Sequence, residues 1–104
     1  MTEEGKIQRD ILDYCAKAGI FARRRNVAGV QRMHGHFVKL GTKGEADIWG
    51  IGENGRHWEC EVKIPGRRPD KDQEAWLRTC TIAGAYAFWV ASLDEFVSLI
   101  RIVR

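Results

Sequence analysis

Three residues near the middle of the sequence carry side chains that together could hydrolyse a phosphate ester. Glu61 and Lys63 stand two residues apart in an alternating segment, so a strand would point both toward the same space. A carboxylate there can bind a hard divalent cation, and an ammonium can stabilise an attacking hydroxide or the charge that develops on phosphorus. Asp47, on the neighbouring strand of a predicted hairpin, could supply a second carboxylate.

The Glu61-Val62-Lys63 tripeptide is weak evidence by itself, because such a pattern often forms the solvent face of an exposed strand. Its surroundings favour the catalytic interpretation. The glycine-rich segment Gly41-Thr42-Lys43-Gly44 precedes Asp47, a compact turn separates the two acidic positions, and a basic loop and a helix follow. These strands and their flanking segments must bring the three side chains together.

The central segments are predicted to form a β-hairpin. Residues 46–51 make its first strand, and Glu53-Asn54-Gly55 has the composition of a tight reversal. In the second strand, residues 56–64, one face is apolar and the other carries Glu59, Glu61 and Lys63. Glu59 is therefore interpreted as a flank of the site.

Helices are predicted on both sides of the hairpin. Residues 3–18 have apolar side chains at helical spacing before Gly19, and residues 71–83 follow a capping box formed by Asp70 and Gln73. This capping box explains Gln73 without a catalytic role, although both roles can coexist. A second capping box opens a final helix at Ser92.

Shorter strands complete the predicted order. They are expected at residues 20–22, around residues 37–40 and at residues 86–91, with a loop from Asn26 to Gly35. The order is α, one or two β, a β-hairpin, α, β, α, which is an α/β class.

The composition is that of a single globular domain spanning residues 1–104. The sequence is 44% hydrophobic and 30% charged, and 104 residues suffice for one core but not for two. No apolar run reaches the roughly 18 residues that span a bilayer, and the charged start Met1-Thr2-Glu3-Glu4 does not have the apolar stretch of a signal peptide. We expect a soluble intracellular protein, in the cytoplasm of a bacterium or of a virus-infected host cell. Cys15, Cys60 and Cys80 lack CxxC spacing, which argues against disulfides and structural zinc.

The net charge of +3 only weakly favours a polyanionic partner, but its distribution says more. Basic residues cluster at Arg23-Arg24-Arg25, between Arg32 and Lys43, and from Lys63 to Lys71, whereas acidic residues gather elsewhere. A basic run is often only a solvated surface, so the arginines alone leave both interpretations open.

Taken together, these features resemble the virus-type replication-repair nuclease family, VRR-NUC, of the PD-(D/E)XK superfamily. The resemblance covers nearly the whole chain. Ala46 stands where the superfamily name has proline, and this variation leaves Asp47 in place. The matching features are Glu4 before Ile7-Gln8, Arg25-Asn26, the segment from Gly44 to Gly50, Glu61-Val62-Lys63, Gln73 and Gly84.

The resemblance implies a restriction-endonuclease-like core, with a mixed central sheet flanked by helices, and a metal-dependent site. Asp47 and Glu61 would bind Mg²⁺ or Mn²⁺ with the backbone carbonyl of Val62, and Glu4 would reach the metal from the first helix. Lys63 would position the water and stabilise the charged transition state. Gln73 is a further candidate catalytic residue.

The same resemblance favours contacts with nucleic acid from the basic segments. Arg25 is interpreted as a phosphate ligand near the cleft, and most tryptophans as core or interface residues. The predicted nucleic-acid-binding set is Arg25, Asn26, Lys43, Arg67 and Arg68.

The predicted function is that of a divalent-metal-dependent DNA endonuclease acting on branched or structured DNA, with a four-way (Holliday) junction as the preferred substrate. A homodimer would supply the two cuts that such a junction needs, and Ile100, Ile102, Val103 and the tryptophans could furnish its interface. The alternatives are a nuclease for flaps or ends, a catalytically silent DNA-binding module, and a protein-interaction domain. A silent DNA-binding module would have no need of the Asp, Glu, Lys combination together with Glu4, and a protein-interaction domain would leave the basic residues around the acidic positions unexplained.

Overall fold

The computed structural model describes residues 1–25 and 43–104 in full, and the backbone alone of residues 30–33 and 36–39. Three helices in this part of the chain are α1 (Glu3–Ala18), α2 (Lys71–Ile82) and α3 (Leu93–Ile100). The strands are β1 (Phe21–Arg24), β2 (Val30–Met33), β3 (His36–Lys39), β4 (Ile48–Ile51), β5 (His57–Val62) and β6 (Tyr86–Val90). No helix in these regions has the length and apolar character needed to cross a membrane.

The main sheet has the strand order β1-β4-β5-β6 and is mixed. The β1–β4 and β4–β5 pairs are antiparallel, whereas β5 and β6 are parallel and joined through α2. The predicted α/β fold, with a mixed sheet and flanking helices, is confirmed, as is the β4–β5 hairpin. In its turn Gly55 adopts a φ of 80°, which explains the Asn-Gly signal.

The alternation of β5 places apolar and acidic side chains on opposite faces of the sheet. Trp58, Cys60 and Val62 are fully buried in a core that α1 and α3 complete. On the other face, the Trp76 indole of α2 donates a 2.8 Å hydrogen bond to Glu59. Helix α2 therefore lies over the acidic face, and β5 is buried on both sides.

The ends of the helices follow the sequence signals. The α1 bounds match the predicted residues 3–18, and Gly19 caps this helix in the left-handed conformation. At α2, the Asp70 side chain accepts from the Gln73 backbone N–H, and the Gln73 side chain accepts from the Asp70 backbone N–H. The capping role predicted for Gln73 is confirmed. Ser92 caps α3 by accepting from the Glu95 backbone N–H.

One predicted loop and one predicted surface are wrong. Strand β2 lies inside the segment predicted as a loop, because its backbone pairs antiparallel with β3 from Val30↔Lys39 to Met33↔His36. Such a ladder depends on its partner strand and not on local composition.

At the C-terminus, Ile100 and Val103 belong to the core and only Ile102 is exposed, so this segment cannot offer the predicted apolar interface.

Candidate active site

Asp47 is held by backbone contacts to two strands. It directly precedes β4, its carbonyl accepts from the Arg25 N–H at 2.8 Å, and its Oδ2 accepts from the Val62 N–H at 2.9 Å. Its carboxylate is therefore fixed beside β5, with 8% of the residue exposed.

The segment before Asp47 is held against α2. Gly44 has a φ of 89°, and a Cβ added there would lie 2.4 Å from the backbone oxygen of Asp72. Lys43 pairs with the Asp72 carboxylate at 3.1 Å, with both side chains largely exposed. This close approach requires glycine and fixes the path of the chain into the site.

Glu61 lies next to Asp47 because of the strand register. Ile48 pairs with Cys60, so the antiparallel ladder brings the preceding Asp47 level with Glu61. Burial, and then the charge and hydrogen bond of Asp47, raise the pKa of Glu61 to about 9, although Lys63 partly opposes the shift. Glu61 Oε1 is buried without a hydrogen-bond partner among the described residues. Two buried carboxyl groups this close repel each other when both are ionised. A cation or a proton between their oxygens would remove this repulsion.

The oxygen donors of this pair fit a hard divalent cation, since Mg²⁺ prefers carboxylate and carbonyl oxygens. The unpartnered Oε1 atom of Glu61 is the observation that supports the fit. Within residues 1–25 and 43–104, no three His, Cys, Asp or Glu side chains already form a metal-ligand cluster. The pair would therefore need a backbone oxygen, such as that of Val62, and water to complete the coordination.

Glu4, in the first turn of α1, is electrostatically coupled to the pair. It is half-buried, and burial and the charge of Asp47 raise its pKa, while Lys63 acts in the opposite direction. Its neighbour Glu3 is exposed. The helix thus brings Glu4 toward the carboxylates, on the side where the sequence placed it.

Lys63 continues β5 beyond Glu61. Its backbone N–H donates to Val90 O at 2.9 Å, which extends the parallel pairing with β6. By alternation its side chain shares the face of Glu61, and its positive charge lowers the pKa of Glu61 and of Glu4 against the larger opposing effects. The four sequence-predicted residues Glu4, Asp47, Glu61 and Lys63 therefore form one electrostatic unit.

Beside this unit lies a charged network that the sequence did not predict. The Arg25 guanidinium donates to both Glu59 oxygens, at 2.6 and 3.1 Å, and to Ala46 O at 2.9 Å. It also pairs with Glu45 at 3.1 Å. Glu59, only 1% exposed, additionally contacts His57 and accepts from Trp76. Most donors of Arg25 are thus occupied inside the protein, and Glu59 is an internal counterion.

The pKa values of this network follow from its contacts. Burial alone would raise the pKa of Glu59, but hydrogen bonds from Arg25, His57 and Trp76 outweigh it and lower that pKa. Burial alone would likewise lower the pKa of Arg25, and the hydrogen bond and charge of Glu59 raise it. Both groups remain charged and paired at neutral pH. The alternation of β5 correctly predicted the face of the sheet on which Glu59 lies. No sequence pattern predicted that Arg25, His57 and Trp76 contact its carboxylate.

The other predicted DNA contacts have different surroundings. Arg67 and Arg68 are exposed in the loop between β5 and α2. Lys43 is exposed but paired with Asp72, and Asn26 lies outside the described residues. Among the tryptophans, Trp58 is core as predicted, whereas Trp49, Trp76 and Trp89 are only partly buried.

Comparison with solved structures confirms the predicted fold. The chain is similar to a solved VRR_NUC domain, with a TM-score of 0.73, and the match covers 97% of each chain. The two sequences are 24% identical, so the likeness establishes a shared fold, and function must be argued from the site. No family model matches the sequence, and no curated protein is similar enough to match.

Proposed function

We propose that this protein is a divalent-metal-dependent DNA endonuclease that hydrolyses phosphodiester bonds. The observation that carries the proposal is the buried Asp47–Glu61 pair, in which Glu61 Oε1 has no hydrogen-bond partner in residues 1–25 and 43–104 and Lys63 follows on the same face. An internal salt bridge would have neutralised these carboxylates, as Arg25 neutralises Glu59. An external cation would neutralise the Asp47–Glu61 pair instead.

Each residue of the electrostatic unit has a proposed role. Asp47 and Glu61 would hold Mg²⁺ or Mn²⁺ with the Val62 carbonyl, and Glu4 would reach the ion from α1. The bound ion would supply an activated water and neutralise phosphate charge. Lys63 holds the attacking oxygen and stabilises the negative charge that develops on the phosphate. Gln73 keeps α2 in place through its cap, and a direct catalytic contribution from it stays a prediction.

We expect Mg²⁺ or Mn²⁺ to support cleavage of DNA and Ca²⁺ not to support it. Ca²⁺ can occupy oxygen sites but takes more ligands in a looser geometry, which leaves the attacking oxygen poorly placed. The measurement is gel analysis of labelled DNA with each ion and with EDTA. Undiminished cleavage in excess EDTA would overturn the metal role, and DNA binding without cleavage under every ion would favour a silent binding module.

We further propose that the substrate is branched DNA, with a four-way junction preferred, and that the protein acts as a homodimer. The one electrostatic unit described provides one cut, and a two-fold dimer would place two units symmetrically on a junction. Phe21 of the edge strand β1 and its partner Ile51 of β4 are exposed and available for such contacts. Ile100 and Val103 are buried and are not. The single domain and the intracellular location remain predictions.

This assembly predicts paired, symmetry-related nicks in a four-way junction and a dimer mass in solution. Light scattering measures the mass in solution. Cleavage of a panel of junctions, flaps, forks and linear duplexes shows which DNA is cut and where the nicks lie. The linear duplex is the control, because it has the same phosphates without the branch. A monomer that cuts flaps and ignores junctions would exclude junction resolution and leave the nuclease proposal in place.

A further inference from the structure

A pocket of about 420 Å³ opens at the β6 edge of the sheet, next to the strand that carries Glu61. The loop from Pro65 to Arg68, the side chain of Trp89 and the start of α3 line it. A volume of this order lies within the range of small-ligand sites. Arg67 and Arg68 are predicted DNA contacts, but no role has so far been assigned to the pocket itself or to Trp89.

Trp89 places the pocket beside the carboxylate pair. In the parallel β5–β6 ladder Trp89 is level with Glu61, and its neighbours Phe88 and Val90 point into the core. Trp89 therefore shares the face of Glu61, on a strand about 4.8 Å away. Trp89 is only partly buried and lines the pocket, so a ligand there would contact it.

The walls of the pocket carry unpaired positive charge. Arg67 and Arg68 are exposed, and neither forms an ion pair with any residue in the described part of the chain. The acidic residue of the wall, Glu95, uses its Oε1 to accept from the Ala91 N–H at 2.7 Å. A pocket lined by an indole and by two guanidinium groups that have no ion-pair partner in the described part of the chain suits a ligand with a flat ring and phosphates, such as a nucleotide.

We propose that this pocket is a nucleotide subsite in which one base next to the scissile phosphate stacks on Trp89, while Arg67 and Arg68 contact its phosphates. This inference rests on the proposed nuclease function and adds a substrate requirement to it. A base reaches the pocket only when it is unpaired or frayed, because a stacked duplex hides its faces. The subsite would thus select DNA with single-stranded character at the cut.

The test is a scan of abasic sites along a forked DNA with single-stranded arms, with binding measured by fluorescence anisotropy in Ca²⁺. For the parent protein, one abasic position should raise Kd by about 5- to 150-fold, the size expected for one base stacked on an aromatic ring. Trp89→Ala should bind the intact fork more weakly by a similar factor and lose the positional effect, whereas Trp89→Phe should retain it. Circular dichroism confirms that each variant is folded.

Tyr86→Ala is the matched control, because Tyr86 is also a partly buried aromatic residue of β6 but packs on the core side of the sheet and does not line the pocket. It should keep the positional effect. The double variant Arg67→Ala, Arg68→Ala should reduce the salt slope of log Kd by about 2, while Arg9→Ala, Arg101→Ala should leave it unchanged. A positional effect that survives in Trp89→Ala, or no such effect in the parent, would overturn the subsite.

Failure of the subsite and failure of the nuclease proposal are distinguishable. Binding in Ca²⁺ requires no cleavage, so the abasic scan gives its answer even if no metal ion supports hydrolysis. Cleavage by the parent protein with a flat abasic profile would remove the subsite alone.

Discussion

Asp47→Asn and Glu61→Gln are each expected to lower the cleavage rate by roughly 10³-fold or more, because either change removes a charged ligand from the proposed metal site. Both substitutions keep the side-chain shape, and the Asn amide oxygen can still accept from the Val62 N–H. The fold should therefore survive. Single-turnover cleavage at saturating Mg²⁺ measures the loss, and thermal unfolding verifies the structure.

Lys63→Ala supplies the contrasting variant. It should still bind the metal ion, since the carboxylates remain, but lose the chemical step. Calorimetric titration with Mn²⁺ separates binding from chemistry. Near-normal turnover in either carboxylate variant would move the active site elsewhere and return the Glu61-Val62-Lys63 strand to a structural role.

Glu59→Ala is expected to destabilise the protein by about 2–4 kcal/mol, which corresponds to a fall in Tm on the order of 10–20 °C. The change leaves the Arg25 guanidinium without its bidentate partner and removes the acceptor of the Trp76 indole. Urea unfolding measures the difference. Glu53→Ala, an exposed carboxylate in the hairpin turn, is the control and should change stability by less than about 0.5 kcal/mol.

The pH dependence of the unfolding free energy should also show that the charge of Glu59 stabilises the fold. The pKa of Glu59 is lowered in the folded state from a reference of 4.5. Its ionised form therefore contributes stability above that reference value, and the contribution is lost as the pH falls through the lower folded value. The difference in unfolding free energy between parent and Glu59→Gln should shrink as the solution is acidified below pH 4.5. A constant difference would show that the Glu59 charge is not the stabilising feature.

Local signals predicted much of the fold. Helix α1 and the α2 cap depend on apolar spacing and on side chains three residues apart, and these are visible in one segment. The β4–β5 hairpin likewise depends on its Asn54-Gly55 turn. Strand β2 was missed because its hydrogen bonds come from β3, and no residue within β2 specifies that partner.

The candidate site was predictable to a similar degree. Alternation along β5 placed Glu59, Glu61 and Lys63 on one face, the predicted hairpin placed Asp47 on the neighbouring strand, and the VRR-NUC resemblance singled out Glu4. Alternation does not say what covers a face, however, so the pairing of Glu59 with Arg25 and Trp76 was not foreseen. Arg25 was expected near the cleft, but its guanidinium is directed to internal partners. Trp89 was grouped with the tryptophans interpreted as core or interface residues, because no local pattern shows that it lines a pocket together with residues 65–68.

Because both faces of β5 are buried, insertions and deletions within this strand should not be tolerated. A single inserted or deleted residue within His57–Val62 would exchange the two faces downstream of the change. Glu61 would then enter the aromatic core around Trp58 and Phe96, while an apolar side chain would replace it beside Asp47. Length variation should therefore be tolerated in the exposed turn at Asn54 or the loop at Arg67, but excluded from the strand between them.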